Sequence, residues 1–381
     1  MGKDLRFILS VAKYISSQGR FPGEIHHGEV RQFLKESLEE FGNVQTQRFE
    51  AKLLKPIRGE VRQGLLTFEG LPYTNSPSGE VWGELTYIGY GIPRENLYRV
   101  LKDRVVLLKE GKLPFRKKEE FLLRKGVKGV IVYREEVDEI FSGVSAGLLP
   151  VVSVKASDAR RLRDGETVFL QAQTKALKVE GENLYLELGA PAGGTLNLIA
   201  HYDTKPNTPG AIDNALSVSL LLWLLGKLST AGFSPPYMLR FLFTDMEEYG
   251  LLGAKHFVNS LPEVELKQSV AVSVDTVGWR TPAVLVRDGD GFNSLKLLRL
   301  CGEMLKELGM EGKIAFTEGK SGRSDHIPFR QKGAKTLFFA SNPFPYRHTP
   351  LDTYDIIDPQ AVKLWSSFLS FFVKNFPPEF F

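Results

Sequence analysis

Short apolar segments alternate with helical patterns through the second half of this chain, and that alternation limits the folds it can adopt. The segments are continuous rather than alternating in polarity, as in strands that are buried on both faces. Predicted strands cover residues 183–188, 196–200, 237–244, 269–274 and 336–340, and predicted helices cover 215–228, 251–261, 291–308 and 358–376. The pattern predicts an α/β protein with a mostly parallel mixed sheet sandwiched by helices.

Residues 61–175 show a different pattern, in which short strand-like segments recur at 80–90, 104–108, 129–133 and 151–154. Histidine and cysteine are absent between residues 64 and 173, and acidic residues are scattered among lysines as on a solvated surface. We interpret 61–175 as a small α/β domain inserted into a larger domain formed by 1–60 and 176–381. No catalytic chemistry is expected from the insertion itself.

Composition and charge exclude several classes of partner. The 49 basic and 45 acidic residues leave a net charge of +4 without a basic stripe, which argues against nucleic-acid binding. The N-terminus lacks a signal-peptide pattern, and no apolar segment is long enough to cross a bilayer, so we expect a cytoplasmic protein without a membrane partner. Cys301 is the single cysteine and is expected to be a small core residue. His26 and His27 are expected in a solvated loop.

Imidazoles and carboxylates follow the ends of the predicted strands. The carboxyl ends of parallel strands meet at one edge of a sheet, so these side chains should converge although they are distant in sequence. Crowded charges are costly to bury unless a cation neutralises them. The converging residues are His201, Asp203, Asp213, Glu247, Glu248, Asp275 and His348.

This donor set indicates a particular kind of metal site. Mixed nitrogen and oxygen ligation suits zinc, with cobalt or manganese as substitutes. One catalytic zinc ion needs three protein ligands, whereas two ions roughly 3.5–4 Å apart need about five ligands with one carboxylate shared. The two imidazoles and the four carboxylates of Asp213, Glu247, Glu248 and Asp275 match the second case and leave one carboxylate for proton transfer.

Each residue also has an ordinary explanation when it is considered alone. Asp213 precedes a helix and could be an N-cap, and Glu247 and Glu248 could be acidic residues at a helix start. Asp275 and His348 could be turn and loop residues. Ser324 is predicted to cap a helix over 325–332, and His326 is assigned a structural role. The metal-site hypothesis depends on all the ligands meeting at one edge.

Six motifs follow one another along the chain. They are His201-x-Asp203, Gly210-Ala211-Ile212-Asp213-Asn214, the Glu247–Ala254 segment Glu-Glu-Tyr-Gly-Leu-Leu-Gly-Ala, Asp275, Ser324-Asp325-His326, and His348-Thr349-x-x-Asp352-Thr353. Through these motifs the chain resembles the co-catalytic dizinc aminopeptidases related to the bacterial leucyl aminopeptidases and the transferrin-receptor group, which have the zinc exopeptidase fold. The insertion is similar to a protease-associated domain at residues 88–91 and 126–131.

The resemblance implies an activity and a role for each residue. It implies a metal-dependent aminopeptidase with two zinc ions per chain that removes N-terminal residues from peptides with a free N-terminus. Glu247 would be the general base and acid, and Asp203 would orient the His201 ring. The implied metal ligands are His201 and Asp275 for one ion, Glu248 and His348 for the other, and Asp213 as the bridge between them.

Three other functions are open to a chain with this fold. A carboxypeptidase of the superfamily would use the same metals, a glutaminyl cyclase would use one zinc ion without hydrolysis, and a receptor-like binding protein would keep the fold without the metals. The sequence leaves open the preferred N-terminal residue, the native metal and whether copies of the chain associate into a homo-oligomer.

Overall fold

The computed structural model describes residues 2–190, 193–319 and 322–381. Its helices are α1 (Lys3–Ile15), α2 (Ile25–Glu39), α3 (Phe115–Arg124), α4 (Ala156–Ala159), α5 (Leu216–Thr230), α6 (Leu252–Ser260), α7 (Glu263–Lys267), α8 (Leu295–Glu307), α9 (His326–Gln331) and α10 (Pro359–Lys374). Its strands are β1 (Gln45–Gln63), β2 (Leu66–Pro72), β3 (Gly79–Tyr87), β4 (Val105–Lys109), β5 (Gly129–Tyr133), β6 (Val151–Ser153), β7 (Thr167–Gly189), β8 (Thr195–His201), β9 (Met238–Thr244), β10 (Ser269–Val274), β11 (Pro282–Asp288), β12 (Gly291–Phe292), β13 (Ala315–Glu318) and β14 (Lys335–Ser341).

The centre of the larger domain is a run of parallel strands in the order β9-β8-β10-β14. Antiparallel strands border it, β7 beside β9 and β11 beside β14. Every residue of β8 and of β10 is buried, because helices cover both faces of the sheet. The mostly parallel mixed sheet predicted from the sequence is therefore confirmed.

Alternating residues of the central strands contribute to two hydrophobic cores. Leu196 and Leu198 in β8 pack into the core that contains α1, α2, α5, α8 and α10, whereas Ile199 packs into the core with α6 and α9. By length and composition alone, residues 211–230 could cross a bilayer, contrary to the expectation from the sequence, but 89% of the 18-residue window that meets this criterion is buried inside the protein. A helix that is apolar on all sides is expected at such a central position.

Two long strands, β1 and β7, pair antiparallel over residues 45–62 and 169–185, and they connect the central sheet with residues 61–175. Strands β2, β6, β5, β4 and β3 follow one another in a second part of the sheet, which joins β7 through β3. Residues between 61 and 172 form two hydrophobic clusters of their own. The likeness of this segment to a protease-associated domain stays a prediction.

The histidine pair near the N-terminus differs from the prediction. His26 and His27 lie in α2, which begins at Ile25, and both side chains are buried. His27 Nε2 is 2.8 Å from Asp245 Oδ1, and this partner is 218 residues away in the sequence. The solvated-loop interpretation was wrong because a partner so distant along the chain could not be seen in the local pattern.

Candidate metal centre

The predicted site residues emerge together at the carboxyl edge of the central strands. His201 is the last residue of β8, Glu247 and Glu248 follow β9, and Asp275 follows β10. His348 lies in the segment after β14. Strand polarity therefore brings residues 147 positions apart to one edge of the sheet.

The first of two ligand groups consists of His201, Asp213 and Asp275. The His201 Nε2 atom lies 3.3 Å from Asp213 Oδ1 and 3.7 Å from Asp275 Oδ1, and all three residues are buried. Within the residues that the structure describes, His201 Nε2 and Asp275 Oδ1 have no hydrogen-bond partner. Buried polar atoms that face one another without bonds need an explanation, and a cation between them supplies one.

The second group consists of Asp213, Glu248 and His348. The His348 Nε2 atom lies 3.3 Å from Asp213 Oδ2 and 3.1 Å from Glu248 Oε2. Glu248 Oε1 is buried and lacks a hydrogen-bond partner among the described parts of the chain. In each group the potential ligand atoms lie within 4.8 Å of one another, and Asp213 offers a different oxygen to each group. These donors fit two divalent cations that share one carboxylate.

Nearby cationic groups lower the pKa values of two of the site carboxylates, Asp213 and Glu248. Burial alone would raise the pKa of Asp213, but its contacts with His201 and His348 lower the pKa well below the usual value. Burial likewise acts to raise the pKa of Glu248, and here the His348 imidazole and the Lys205 ammonium outweigh it and lower the pKa to about 2. Both residues therefore favour the ionised form that a metal ligand needs.

Glu247 has the opposite environment from its neighbour. Burial is the largest effect on its carboxyl group, and it raises the pKa well above the usual value despite the nearby His201 imidazole. The charges of Glu248 and Asp325 act in the same direction as burial. A raised pKa makes a carboxylate a better proton acceptor, as a general base requires.

Asp203 holds the backbone of the two glutamates. The Glu247 N–H donates to Asp203 Oδ1 at 3.0 Å, and the Glu248 N–H donates to Asp203 Oδ2 at 3.2 Å. The predicted contact with the His201 ring is longer, since Nδ1 lies 3.5 Å from Asp203 Oδ1 and 3.2 Å from the main-chain oxygen of Asp203. Asp203 thus links the His201 strand end to the loop that carries Glu247 and Glu248.

Asp352 and Arg20 hold the loop that presents Asp213. Both oxygens of Asp352 accept backbone N–H groups, from Ile212 at 2.8 Å and from Asp213 at 3.0 Å. The fully buried guanidinium of Arg20 donates to the main-chain oxygens of Pro209 and Gly210. Asp352 stands in a motif noted in the sequence, but its contact with the Asp213 backbone spans 139 residues.

Lys205 is a buried cation beside the second ligand group, and no role was predicted for it from the sequence. Its Nζ lies 2.7 Å from Glu248 Oε2 and also donates to the Glu248 main-chain oxygen. The Lys205 side chain is 6% exposed, so this is an ion pair shielded from solvent. The signal in the sequence was its position, two residues after Asp203 in the same predicted loop.

The Ser324-Asp325-His326 motif is arranged differently from the prediction. Asp325, not Ser324, is the N-cap residue of α9, while the Ser324 hydroxyl lies 2.6 Å from Ser273 Oγ. Asp325 accepts a hydrogen bond from the Thr244 hydroxyl, and burial raises its pKa to about 7. His326 Nε2 pairs with Asp288 Oδ2 at 2.8 Å, as the structural role assigned to it requires.

A comparison with protein families supports the interpretation of this edge. Residues 183–373, just over half of the chain, match the model described as peptidase family M28. The chain belongs to peptidase family M28. The matched region begins in β7 and contains every predicted ligand, from His201 to His348. The family predicted from the six motifs is therefore confirmed.

Curated relatives and solved structures agree with membership of family M28. Aminopeptidase YwaD of Bacillus subtilis is 28% identical over 283 residues, which cover 69% of this chain and 60% of that protein. The probable lipoprotein aminopeptidase LpqL of Mycobacterium tuberculosis is 29% identical, over 84% of this chain and 73% of that protein. The match to the first of these relatives thus spans less than two thirds of its length.

The fold agrees with a solved structure over nearly the whole chain. BSAP, a zinc aminopeptidase from Bacillus subtilis, aligns with a TM-score of 0.76 at 22% identity and covers 97% of this chain and 94% of that chain. The alignment extends beyond the region matched by the M28 family model, so residues 61–175 largely share the fold as well.

Proposed function

We propose that this protein is a zinc-dependent aminopeptidase that binds two zinc ions per chain. The observation that carries the proposal is the Asp213 carboxylate, whose two oxygens face two separate groups of potential ligands. His201 and Asp275 would complete one metal position, and Glu248 and His348 the other. The aminopeptidase names of the M28 relatives support the choice of reaction.

Bound zinc would supply Lewis acidity at the peptide carbonyl and lower the pKa of water. Glu247 would take the proton from the attacking water and deliver it to the leaving amine, for which its buried carboxyl group with a raised pKa is suited. Asp203 would keep Glu247 and Glu248 facing the site through its two hydrogen bonds to their backbone.

We further propose that acidic groups at this edge bind the free amino terminus of the substrate. The charges of Asp275 and Asp325 act on the carboxyl group of Glu247, and such a concentration of acidic groups favours an ammonium group over a carboxylate. Arg323, which a carboxypeptidase could have used to bind a substrate carboxylate, is paired with Asp290 at 3.0 Å. An N-acetylated peptide should therefore be a much poorer substrate than the same peptide with a free amine.

The test combines metal content with hydrolysis of an aminoacyl-p-nitroanilide by wild type and the Glu247→Gln variant. We expect two zinc ions in both proteins, because Glu247 is not a ligand, and a rate reduced by about 10²-fold to 10⁴-fold in the variant. Glu263→Gln, which changes an exposed glutamate, is the matched control and should keep full activity. Unimpaired hydrolysis by Glu247→Gln, or a wild type that binds fewer than two ions in excess zinc, would contradict the proposal.

A further inference from the structure

The inserted segment reaches the loop that carries His348. Arg134, directly after β5, donates from Nη1 to the Arg347 main-chain oxygen at 2.6 Å. The Ser142 N–H donates to the His348 main-chain oxygen at 2.8 Å. Two consecutive carbonyl groups, one of them on a proposed metal ligand, are thus bonded by residues outside the domain that holds the other ligands.

Arg134 is itself held in place within the insertion. Its Nε lies 2.7 Å from Glu110 Oε2, and its guanidinium carbon lies 4.4 Å from the centre of the Phe141 ring. The Arg134 side chain is 9% exposed. An arginine fixed by an ion pair and an aromatic face presents its remaining N–H groups in one direction, here towards the His348 loop.

The same part of the insertion also contacts the loop after His201. The Ser142 hydroxyl donates to the main-chain oxygen of Pro206. The preceding residue, Lys205, is bonded to Glu248. Ser142 therefore bridges the loops on both sides of the position formed by Asp213, Glu248 and His348.

The backbone of His348 needs external support. Its φ angle is +63°, in the left-handed region that non-glycine residues rarely adopt. Such a conformation persists where surrounding contacts impose it. The hydrogen bonds from Arg134 and Ser142 flank this residue and supply contacts of that kind.

We propose that residues 134–142 of the insertion act as a positioning element for the second metal position, the one formed with Glu248 and His348. Arg134 and Ser142 hold the His348 loop in the conformation that turns its ring towards Asp213 and Glu248. The insertion thereby controls occupancy of one metal position and leaves the position of His201 and Asp275 unaffected. This inference depends on the proposed function for the identity of the ions.

The first experiment measures backbone hydrogen exchange in metal-free protein, which requires neither zinc nor activity. Arg134→Met should speed exchange in residues 344–352, because the loop loses its donor at Arg347. Arg62→Met is the matched control, since Arg62 also pairs with a glutamate, Glu60 at 3.0 Å, and lies 4.1 Å from the Phe169 ring. Arg62→Met should leave hydrogen exchange in residues 344–352 unchanged. Equal exchange in wild type and Arg134→Met would overturn the proposal.

The second experiment titrates zinc into the same proteins by calorimetry. Arg134→Met should bind one ion as wild type does and the other about 10-fold to 100-fold more weakly. This is the usual loss of affinity when a hydrogen bond that orients a metal ligand is removed. Two unchanged affinities in Arg134→Met would overturn the positioning role while leaving the proposed function intact. A wild type that fails to bind two ions would instead contradict the proposed function, and the exchange result would still decide the role of Arg134.

A smaller substitution covers the case in which Arg134→Met does not fold. Ser142→Ala removes the bond to Pro206 and keeps the backbone N–H that bonds to His348. We expect this variant to fold, as judged by thermal unfolding, and to bind the same zinc ion more weakly than wild type, by a smaller factor than Arg134→Met. Affinities equal to those of wild type for both ions would contradict the bridging of the two loops.

Discussion

Lys205 is a buried ammonium group in a site otherwise made of carboxylates and imidazoles. Its Nζ lies 2.7 Å from Glu248 Oε2, and both side chains are almost fully buried. Removing one member of a buried ion pair leaves the other charge without compensation, which is strongly destabilising. In protein without metal, Lys205 therefore stabilises Glu248 in its ionised form.

We predict that Lys205→Met destabilises the metal-free protein by about 3 kcal/mol. The loss should be smaller in excess zinc, because a cation then compensates the Glu248 carboxylate. Urea unfolding with and without zinc measures both values. Lys227→Met, at the exposed pair with Asp4, is the control and should change stability little. A loss of equal size in both conditions would show that Lys205 does not compensate Glu248.

At the scale of residues, the sequence allowed the ligands to be predicted but not their supports. The predicted ligands follow buried strands, and strand polarity alone places them at one edge. Lys205 acts on a residue 43 positions away, and Asp352 acts on the backbone of Asp213, 139 positions away. Hydrogen bonds between loops of distant sequence produce no local pattern, so these residues could be recognised only in the folded structure.

At the scale of elements, prediction succeeded where burial was uniform. Strands β5 and β10 were predicted to the residue, because both are short valine-rich segments that are buried along their whole length. Strand β11 was missed, since it begins at a proline and ends with the charged residues Arg287 and Asp288, of which Arg287 is exposed. Residues 291–292 were assigned to a helix but form β12, and α8 begins at Leu295.

The ends of β4 and β5 are joined by the Glu110–Arg134 ion pair, which titrates in acid. Burial acts to raise the pKa of Glu110, but Arg134 outweighs it and lowers the pKa from 4.5 to about 2. A carboxyl group whose pKa is lower in the folded state than in the unfolded state stabilises the folded protein at pH values above its pKa in the unfolded state. That contribution disappears as the pH falls through the folded pKa.

We predict that wild type is more stable than Glu110→Gln above about pH 5, and that the difference shrinks as the pH falls from 4.5 towards 2. A third of the Glu110 side chain is exposed, so we expect a difference on the order of 1–2 kcal/mol rather than the full value of a buried pair. Urea unfolding of both proteins across this range measures it. A difference independent of pH would mean that the pair does not stabilise the junction of β4 and β5.

At the scale of the whole molecule, the site exists only when the sheet has assembled. His201 ends β8, the other proposed ligands Glu248, Asp275 and His348 come from the segments after β9, β10 and β14, and Asp213 comes from the segment that leads into α5. An unfolded chain cannot gather these groups, so zinc should bind the folded state far more tightly than the unfolded state. Folding stability should consequently depend on the concentration of free zinc.

The slope of the free energy of unfolding against the logarithm of free zinc gives the number of bound ions, and no measurement of activity is needed. For each ion bound to the folded state alone, a tenfold rise in free zinc above saturation adds about 1.4 kcal/mol to the free energy of unfolding. We predict about 2.8 kcal/mol per tenfold rise for wild type, which corresponds to two ions.

His348→Ala should show half that slope, because it removes a ligand from one position and leaves His201, Asp213 and Asp275 in place. His256→Ala, which alters a histidine stacked on Phe49 away from the ligand groups, is the control and should keep the wild-type slope. Urea unfolding in zinc buffers measures all three slopes, and a wild-type slope equal to that of His348→Ala would rule out the second ion.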